Sequence, residues 1–100
     1  MTFIQDDLKD IQLVRAKFEQ KRNESALMTP SQKVDLLIEN ALFEELQQNA
    51  MRARKLYEQL DQDIAPGLIK ATVARINFEK RQGNVDMARE LYFNAFTAAL

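Results

Sequence analysis

Apolar residues recur every three or four positions along most of the chain, the spacing that places them on one face of an α-helix. No segment shows the strict alternation of apolar and polar residues that is typical of a half-buried strand. The pattern predicts five helices, which run from about Asp6 to Asn23, Pro30 to Gln48, Ala50 to Asp61, Pro66 to Gly83 and Val85 to Ala99. The sequence therefore predicts an all-α protein.

Residues that favour helix ends lie between these segments. Thr29 and Gln32 have the spacing of a capping box, and Pro30 between them suits the first helical position. Pro66 is predicted to open the fourth helix, and Asn84 to cap the start of the fifth. Because the connections are short, successive helices are expected to pack as antiparallel neighbours.

One segment of the chain recurs after 35 positions, with eight identities between residues 43–57 and 78–92. The identical pairs are Phe43/Phe78, Glu44/Glu79, Gln47/Gln82, Asn49/Asn84, Ala53/Ala88, Arg54/Arg89, Leu56/Leu91 and Tyr57/Tyr92. A partial third copy lies upstream, where Arg15 and Phe18 align with Arg54 and Tyr57. The order along the chain is thus B, A, B, A, B, where helix A carries the Phe-Glu pair and helix B carries the Arg and the Tyr or Phe.

A single hairpin of this kind cannot bury both of its sides, so each hairpin is expected to stack on the next. The sequence predicts an α–α superhelix (a solenoid) of antiparallel hairpins with about two and a half repeats. Residues 1–100 form one array in this reading, with a helix B at 6–23, one repeat at 30–61 and a second at 66–99. Because the array begins half-way through a repeat, we expect it to be a fragment of a longer solenoid or a short array that is capped by a partner.

The repeat also predicts a core and a set of contacts. The positions expected inside are Phe43, Phe78, Tyr57, Tyr92, Leu56, Leu91, Leu60, Ile76, Val73, Leu42 and Leu37. Ala53 and Ala88 are small enough to let helix B approach its own helix A closely. Glu44 with Arg54, and Glu79 with Arg89, are predicted to form charge-assisted pairs across each hairpin turn. The alternative is that these four side chains are independently solvated.

The last helix carries more apolar surface than its core stripe needs. Phe93, Phe96 and Leu100 widen that surface, whereas a terminal helix of an array normally turns a polar face to water. These three residues are therefore the candidate interface, to be covered by a further repeat, a second copy of the chain or another subunit. A truncated array would expose the same surface without any partner.

Composition argues against most chemistry. The chain has no Cys and no His, which removes thiolate catalysis and the common zinc sites. Asp61 and Asp63 begin like a calcium loop, but the positions that follow do not supply its other ligands. No catalytic residue, cofactor or metal is predicted, and the protein is not expected to be an enzyme. The net charge of −1 and the lack of a long apolar run argue against direct RNA contact and against a membrane span.

The repeat unit resembles the half-a-tetratricopeptide (HAT) repeat. The resemblance rests on Phe43-Glu44 followed by Ala53-Arg54-Lys55-Leu56-Tyr57, and on Phe78-Glu79 followed by Ala88-Arg89-Glu90-Leu91-Tyr92. It covers residues 10–100, and the tryptophan that often lies early in a HAT helix A is absent. A tetratricopeptide helix A would instead have a small residue at Ile76 and an aromatic residue at Glu79. Arg75…Phe78-Glu79-Lys80-Arg81…Gly83-Asn84 is most similar to the C-terminal HAT region of the pre-mRNA processing factor thirty-nine family.

This resemblance implies a protein–protein interaction scaffold in the nucleus, within pre-mRNA splicing. The family is a component of, or accessory to, the ribonucleoprotein that recognises the 5′ splice site. The implied partners are other protein subunits of an RNA-processing complex, or a second HAT chain in a homodimer or heterodimer. The alternatives are a HAT scaffold in mRNA 3′-end processing or ribosome biogenesis, and a tetratricopeptide-like module that binds peptides. The last is disfavoured because Asn40 corresponds to Arg75, so no polar clamp residue repeats on helix A.

Overall fold

The computed structural model describes the backbone of residues 3–97 and the side chains of residues 8–97. The protein is all-helical, and no strand occurs within the described backbone. The five helices are α1 (Phe3–Asn23), α2 (Pro30–Leu46), α3 (Ala50–Gln59), α4 (Ile69–Arg81) and α5 (Val85–Thr97). A short 3₁₀ turn, Ser25–Leu27, precedes α2, and a π-helical turn, Leu60–Ile64, continues α3.

The predicted capping box at the start of α2 is confirmed. Thr29 Oγ1 accepts a hydrogen bond from the Gln32 amide at 3.2 Å, and Gln32 Oε1 accepts one from the Thr29 amide at 2.9 Å. The predicted start of the fourth helix is wrong, because α4 begins at Ile69 and not at Pro66. Gly67 follows Pro66 with a positive φ of 81°, a left-handed conformation that breaks any helix begun at the proline.

The end of the third helix also differs from the prediction. Helical backbone continues past Asp61 to Ile64 as a wider π turn. This turn keeps Leu60 fully buried in a core cluster with Val34, Leu37 and Ala71. The π turn therefore ties the end of α3 to both α2 and α4.

Each helix packs against its neighbour in sequence. α2 packs along α3 and α4 along α5, while α1 contacts α2 and α3 contacts α4. A second buried cluster, formed by Ala41, Ala53, Tyr57 and Phe78, joins α2, α3 and α4. The radius of gyration is 15.1 Å, whereas a compact domain of this length has one of about 13 Å. The helices therefore form an open slab in which neighbours in sequence supply most of the packing.

The buried positions confirm much of the predicted core, namely Tyr57, Phe78, Leu60, Ile76 and Leu37. Phe43, Leu56 and Leu91 are half-buried.

Three predicted core residues are exposed, so the prediction is wrong for Leu42, Val73 and Tyr92. Leu42 lies outside the core because the buried face of α2 is rotated toward Asn40 and Glu44. Val73 lines an open groove of about 500 Å³ between α4 and α5. Tyr92 is 58% exposed because no described helix stands against its side of α5.

Candidate protein-interaction surface

The two repeated glutamates are buried, and each binds an arginine of the preceding helix B. Glu44 and Glu79 are 3% and 2% exposed. Glu44 pairs with Arg15 of α1, and Glu79 pairs with Arg54 of α3. The predicted pairing across each hairpin turn, Glu44 with Arg54 and Glu79 with Arg89, is therefore replaced by pairing between one hairpin and the next.

The geometry of helix B explains this change of partner. Ala53 is fully buried in the cluster that it shares with Ala41 of α2, so this side of α3 faces α2. Successive residues of an α-helix are rotated by about 100°, and Arg54 therefore points away from α2 and toward α4. The tight turn itself is closed by the backbone, since the Asn49 amide donates to the Glu44 carbonyl at 2.9 Å. The side chain of Glu44 binds Arg15 of α1, and Arg52 of α3 lies across the turn as a more distant cation at 4.0 Å.

The first contact of this kind joins α1 to α2. Arg15 donates from Nε to Glu44 Oε2 at 2.9 Å and from Nη2 to Oε1 at 2.7 Å, a two-pronged arrangement. These hydrogen bonds raise the pKa of Arg15. One helical turn later, the ring of Phe18 packs on the ring of Phe43 with centroids 5.8 Å apart. An ion pair and an aromatic pair thus lie side by side between the two helices.

The second contact joins α3 to α4 with the same parts. Arg54 donates from Nε to Glu79 Oε2 at 3.1 Å and from Nη2 to Oε1 at 2.9 Å. The rings of Tyr57 and Phe78 lie 4.9 Å apart, and the Arg54 guanidinium sits 5.3 Å above the Phe78 ring. We call this four-residue arrangement, an Arg and an aromatic residue of helix B against a Phe-Glu pair of the next helix A, the interhelical joint.

The electrostatics of the second joint favour the ionised pair. Hydrogen bonds from Arg54 lower the pKa of Glu79 and outweigh the effect of burial, which acts in the opposite direction. The Asn84 side-chain amide donates a further hydrogen bond to Glu79 at 3.0 Å. The same pairing raises the pKa of Arg54. The joint therefore holds a charged carboxylate inside the protein because two side chains satisfy its oxygens.

A peripheral ion pair flanks the second joint and connects the two A helices. Arg81 of α4 donates to Glu45 of α2 at 2.9 Å and 2.8 Å, which lowers the pKa of Glu45. Arg81 also donates to the Tyr57 hydroxyl at 3.5 Å, while burial raises the pKa of that phenol. This pair is not evident from the repeat, because Glu45 and Arg81 occupy different positions of it.

The third set of helix B residues lacks an opposing helix among the described residues. Arg89 is exposed and forms no ion pair within residues 8–97, and Tyr92 stacks on Phe96 of its own helix at 4.5 Å. Phe93 is 65% exposed. Leu100, the remaining predicted interface residue, lies outside the described residues. Arg89, Tyr92, Phe93 and Phe96 thus present apolar and cationic groups together on one surface.

A groove of about 430 Å³ runs along this surface, and we call it the α5 groove. Its lining residues are Ile76, Lys80, Val85, Ala88, Arg89, Tyr92 and Phe93. Most of them belong to the repeated segment, although the predicted interface did not include Lys80 and Val85. The signal that could have found them is their alignment with Glu45 and Ala50 at the 35-residue shift.

The segment around Asp61 and Asp63, which begins like a calcium loop, forms hydrogen bonds within the fold. Asp61 accepts hydrogen bonds from Thr72 at 2.8 Å and from Arg75 at 3.1 Å, so its carboxylate is engaged within the fold. Among the described residues, no group of three His, Cys, Asp or Glu is placed to hold a metal ion. None of the described helices combines the length and the apolar character that a membrane crossing requires.

No family model matches the chain, and neither the curated proteins nor the solved structures include a match to it.

Proposed function

We propose that this chain is a protein–protein interaction scaffold of the pre-mRNA splicing machinery, built as an α–α superhelix of HAT-type repeats. We propose that it acts in the nucleus as a component, or an accessory factor, of the ribonucleoprotein that recognises the 5′ splice site. Its task is to hold other protein subunits, and it needs no cofactor and no catalytic group. The motif resemblance described above carries the assignment to splicing.

One structural observation supports the repeat architecture most directly, namely that the interhelical joint is built twice. Arg15–Glu44 and Arg54–Glu79 have the same two-pronged geometry, and an aromatic pair lies one turn away in each. Their sequence separations are 29 and 25 residues, so the same contact tolerates connections of different length. Recurrent nearest-neighbour contacts of this kind are what a stacked array requires.

A second observation supports an interaction role. The last described helix exposes Tyr92, Phe93 and Phe96 together, beside a groove lined largely by apolar residues. A contiguous apolar patch of this kind is typical of a protein-binding surface, and aromatic residues with a neighbouring arginine are the residues that dominate binding energies. The scaffold therefore works through the shape and the exposed aromatic groups of a rigid helical slab.

The experiment is affinity purification from nuclear extract with the tagged chain, followed by mass spectrometry. The proposal predicts enrichment of proteins of the 5′ splice-site particle. The double variant Phe93→Ser/Phe96→Ser should lose that enrichment. Leu27→Ser is the matched control, because Leu27 is 96% exposed in the turn before α2 and its loss should leave the recovered proteins unchanged.

Two outcomes would contradict the proposal. Specific recovery of cleavage or ribosome-assembly factors in place of splicing proteins would assign the scaffold to another RNA-processing complex. Recovery of splicing proteins that is unaffected by the double variant would show that the exposed face of α5 is not the interaction surface.

A further inference from the structure

The α5 groove corresponds, position by position, to a groove that is already filled inside the protein. Shifting its lining residues Ile76, Val85, Ala88 and Tyr92 back by 35 positions gives Ala41, Ala50, Ala53 and Tyr57. Ala41, Ala53 and Tyr57 form the second buried cluster with Phe78, and Ala50 packs against that cluster. The helix that fills the internal groove therefore shows what kind of helix would fit the α5 groove.

The charged residue of the joint is also repeated in the open groove. Arg89 aligns with Arg54, which binds the buried carboxylate of Glu79 in the internal groove. Tyr57 is 1% exposed where Phe78 covers it, whereas Tyr92 is 58% exposed. The open groove therefore has the receiving half of a joint, an arginine beside an aromatic ring, without the Phe-Glu half among the described residues.

We propose that the α5 groove binds a helix of a partner protein that carries an aromatic residue followed by Glu, and an acidic residue two positions after that Glu. The aromatic ring packs on Tyr92, and the Glu accepts two hydrogen bonds from Arg89. This inference rests on the scaffold function proposed above and specifies the chemistry of the partner.

The second acidic residue follows from one difference between the two grooves. In the internal joint, Arg81 lies two positions after Glu79 and pairs with Glu45 of α2. The residue of the α5 groove that corresponds to Glu45 is Lys80, which carries the opposite charge. A basic residue at this place in the incoming helix would be repelled, and an acidic one would be attracted.

The α5 groove is also more apolar than its internal template. Its lining residue Phe93 aligns with Glu58, so an aromatic ring replaces a charged residue of α3. Phe96 lies outside the groove but packs its ring on Tyr92, and it aligns with Asp61. An incoming helix consequently needs apolar side chains beside its aromatic–Glu pair to cover Phe93. Such a helix is expected to be amphipathic, with a broad apolar face.

A second copy of this chain does not supply the missing half. The three Phe-Glu pairs of the sequence begin at Phe18, Phe43 and Phe78, and each of these rings packs against another ring within the chain. Glu44 and Glu79 are, in addition, held by Arg15 and Arg54. The occupant is therefore a helix other than those of residues 8–97. The proposal commits to a helix of a partner protein, because Lys80 and Phe93 depart from the internal template where a further copy of the repeat would be expected to match it.

The probe is a capped synthetic peptide with the sequence of residues 69–84 of this chain and the change Arg81→Glu. It contains the proposed aromatic–Glu–x–acid sequence in a helix that the internal groove shows to fit. Binding of the labelled peptide to the full 100-residue chain is measured by fluorescence anisotropy. The unmodified peptide, with Arg81, should bind about two- to fivefold more weakly, the size of effect expected for an exposed ion pair.

Variants of the protein locate the peptide. Arg89→Glu should weaken binding at least about tenfold, because a two-pronged arginine–carboxylate contact is replaced by repulsion. A peptide with the further change Glu79→Arg should recover binding to that variant. Lys55→Glu is the matched control, since Lys55 is exposed, forms no ion pair within residues 8–97 and lies outside the α5 groove. Circular dichroism should show unchanged unfolding for both variants.

Two results would overturn the inference. The first is no binding of the peptide to the folded chain. The second is binding that persists with Arg89→Glu, which would place the peptide elsewhere, for example in the internal groove after displacement of α4. Either result leaves the scaffold function to its own test, because splicing proteins recovered from nuclear extract would then bind the exposed face of α5 through a chemistry other than an aromatic–Glu pair.

Discussion

Removal of the Arg54 side chain tests the interhelical joint where its charge is most deeply buried. Arg54→Ala takes away three contacts to the Glu79 carboxylate, at 3.3, 3.1 and 2.9 Å, and the cation over the Phe78 ring. Glu79 is 2% exposed and would keep Asn84 as a side-chain donor. An uncompensated carboxylate would then be left inside the protein.

The expected magnitude follows from this burial. Breaking a fully buried ion pair from one side costs about 3–5 kcal/mol. The Arg54 side chain is 35% exposed, so solvent already screens part of the interaction. We therefore expect Arg54→Ala to lower the free energy of unfolding by about 2 kcal/mol, and to lower the melting temperature by about 10 °C. Domains of this size have a free energy of unfolding of about 5–15 kcal/mol, so the loss is readily measured.

A double-mutant cycle identifies the partner of Glu79. With Glu79→Gln as the second change, the coupling free energy to Arg54 should be about 1.5 kcal/mol, whereas coupling to Arg89 should lie within about 0.3 kcal/mol of zero. Urea unfolding followed by far-ultraviolet circular dichroism measures all the variants. Coupling of Glu79 to Arg89, or none to Arg54, would refute the assignment of the joint to neighbouring hairpins.

The aromatic half of the joint and its pH dependence give two further predictions. Phe78→Ala should lower the free energy of unfolding by about 3–5 kcal/mol, because the Phe78 ring is fully buried. Phe93→Ala should change it by less than about 0.5 kcal/mol, because Phe93 is 65% exposed. Equal losses for the two variants in urea unfolding would contradict this prediction. The pKa values of Glu79 and Glu45 are lowered in the folded protein, so the unfolded chain binds protons first as the pH falls. The free energy of unfolding should therefore decrease below the ordinary glutamate pKa of about 4.3, and the loss should be complete below the pKa values of the folded state. Urea midpoints measured from neutral to acidic pH check this, and Glu79→Gln should flatten the profile; an unchanged slope in that variant would show that Glu79 does not contribute.

Local signals in the sequence were sufficient to predict the helices. The capping box at Thr29 and the apolar spacing depend only on residues within a few positions of one another, and the structure has them as expected. The predicted start of the fourth helix was wrong because a proline such as Pro66 is compatible both with the first position of a helix and with a turn. The positive φ of Gly67 decides between these alternatives.

The partners of the repeated charges could not be predicted in the same way. The repeat correctly singled out Glu44, Glu79 and Arg54, but a shift of 35 residues does not say whether a pair closes within one hairpin or between two. That choice depends on the rotation of α3, which is fixed when Ala53 packs against α2. Tertiary packing, rather than sequence spacing, therefore determines which arginine meets which glutamate.

The exposed face of α5 has a similar explanation. Tyr92 was predicted to be buried because it occupies the same position of the repeat as Tyr57, and both were expected to fill the space between neighbouring hairpins. The prediction assumed that both copies have a following helix A, and within the described residues only the first copy has one. The resulting exposure of Tyr92 and Arg89 is what makes the α5 groove a candidate binding surface.

Aromatic contacts measured in solution test the nesting of successive hairpins most directly. The chain contains two Tyr and six Phe, so selective isotope labelling of these rings gives a resolvable nuclear Overhauser spectrum. We expect cross-peaks between the rings of Tyr57 and Phe78, whose centroids are 4.9 Å apart, and between those of Phe18 and Phe43 at 5.8 Å. Cross-peaks that join Phe78 to Tyr92 in place of Tyr57 would contradict the stacking of successive hairpins, because the repeated aromatic residues would then contact each other within one hairpin.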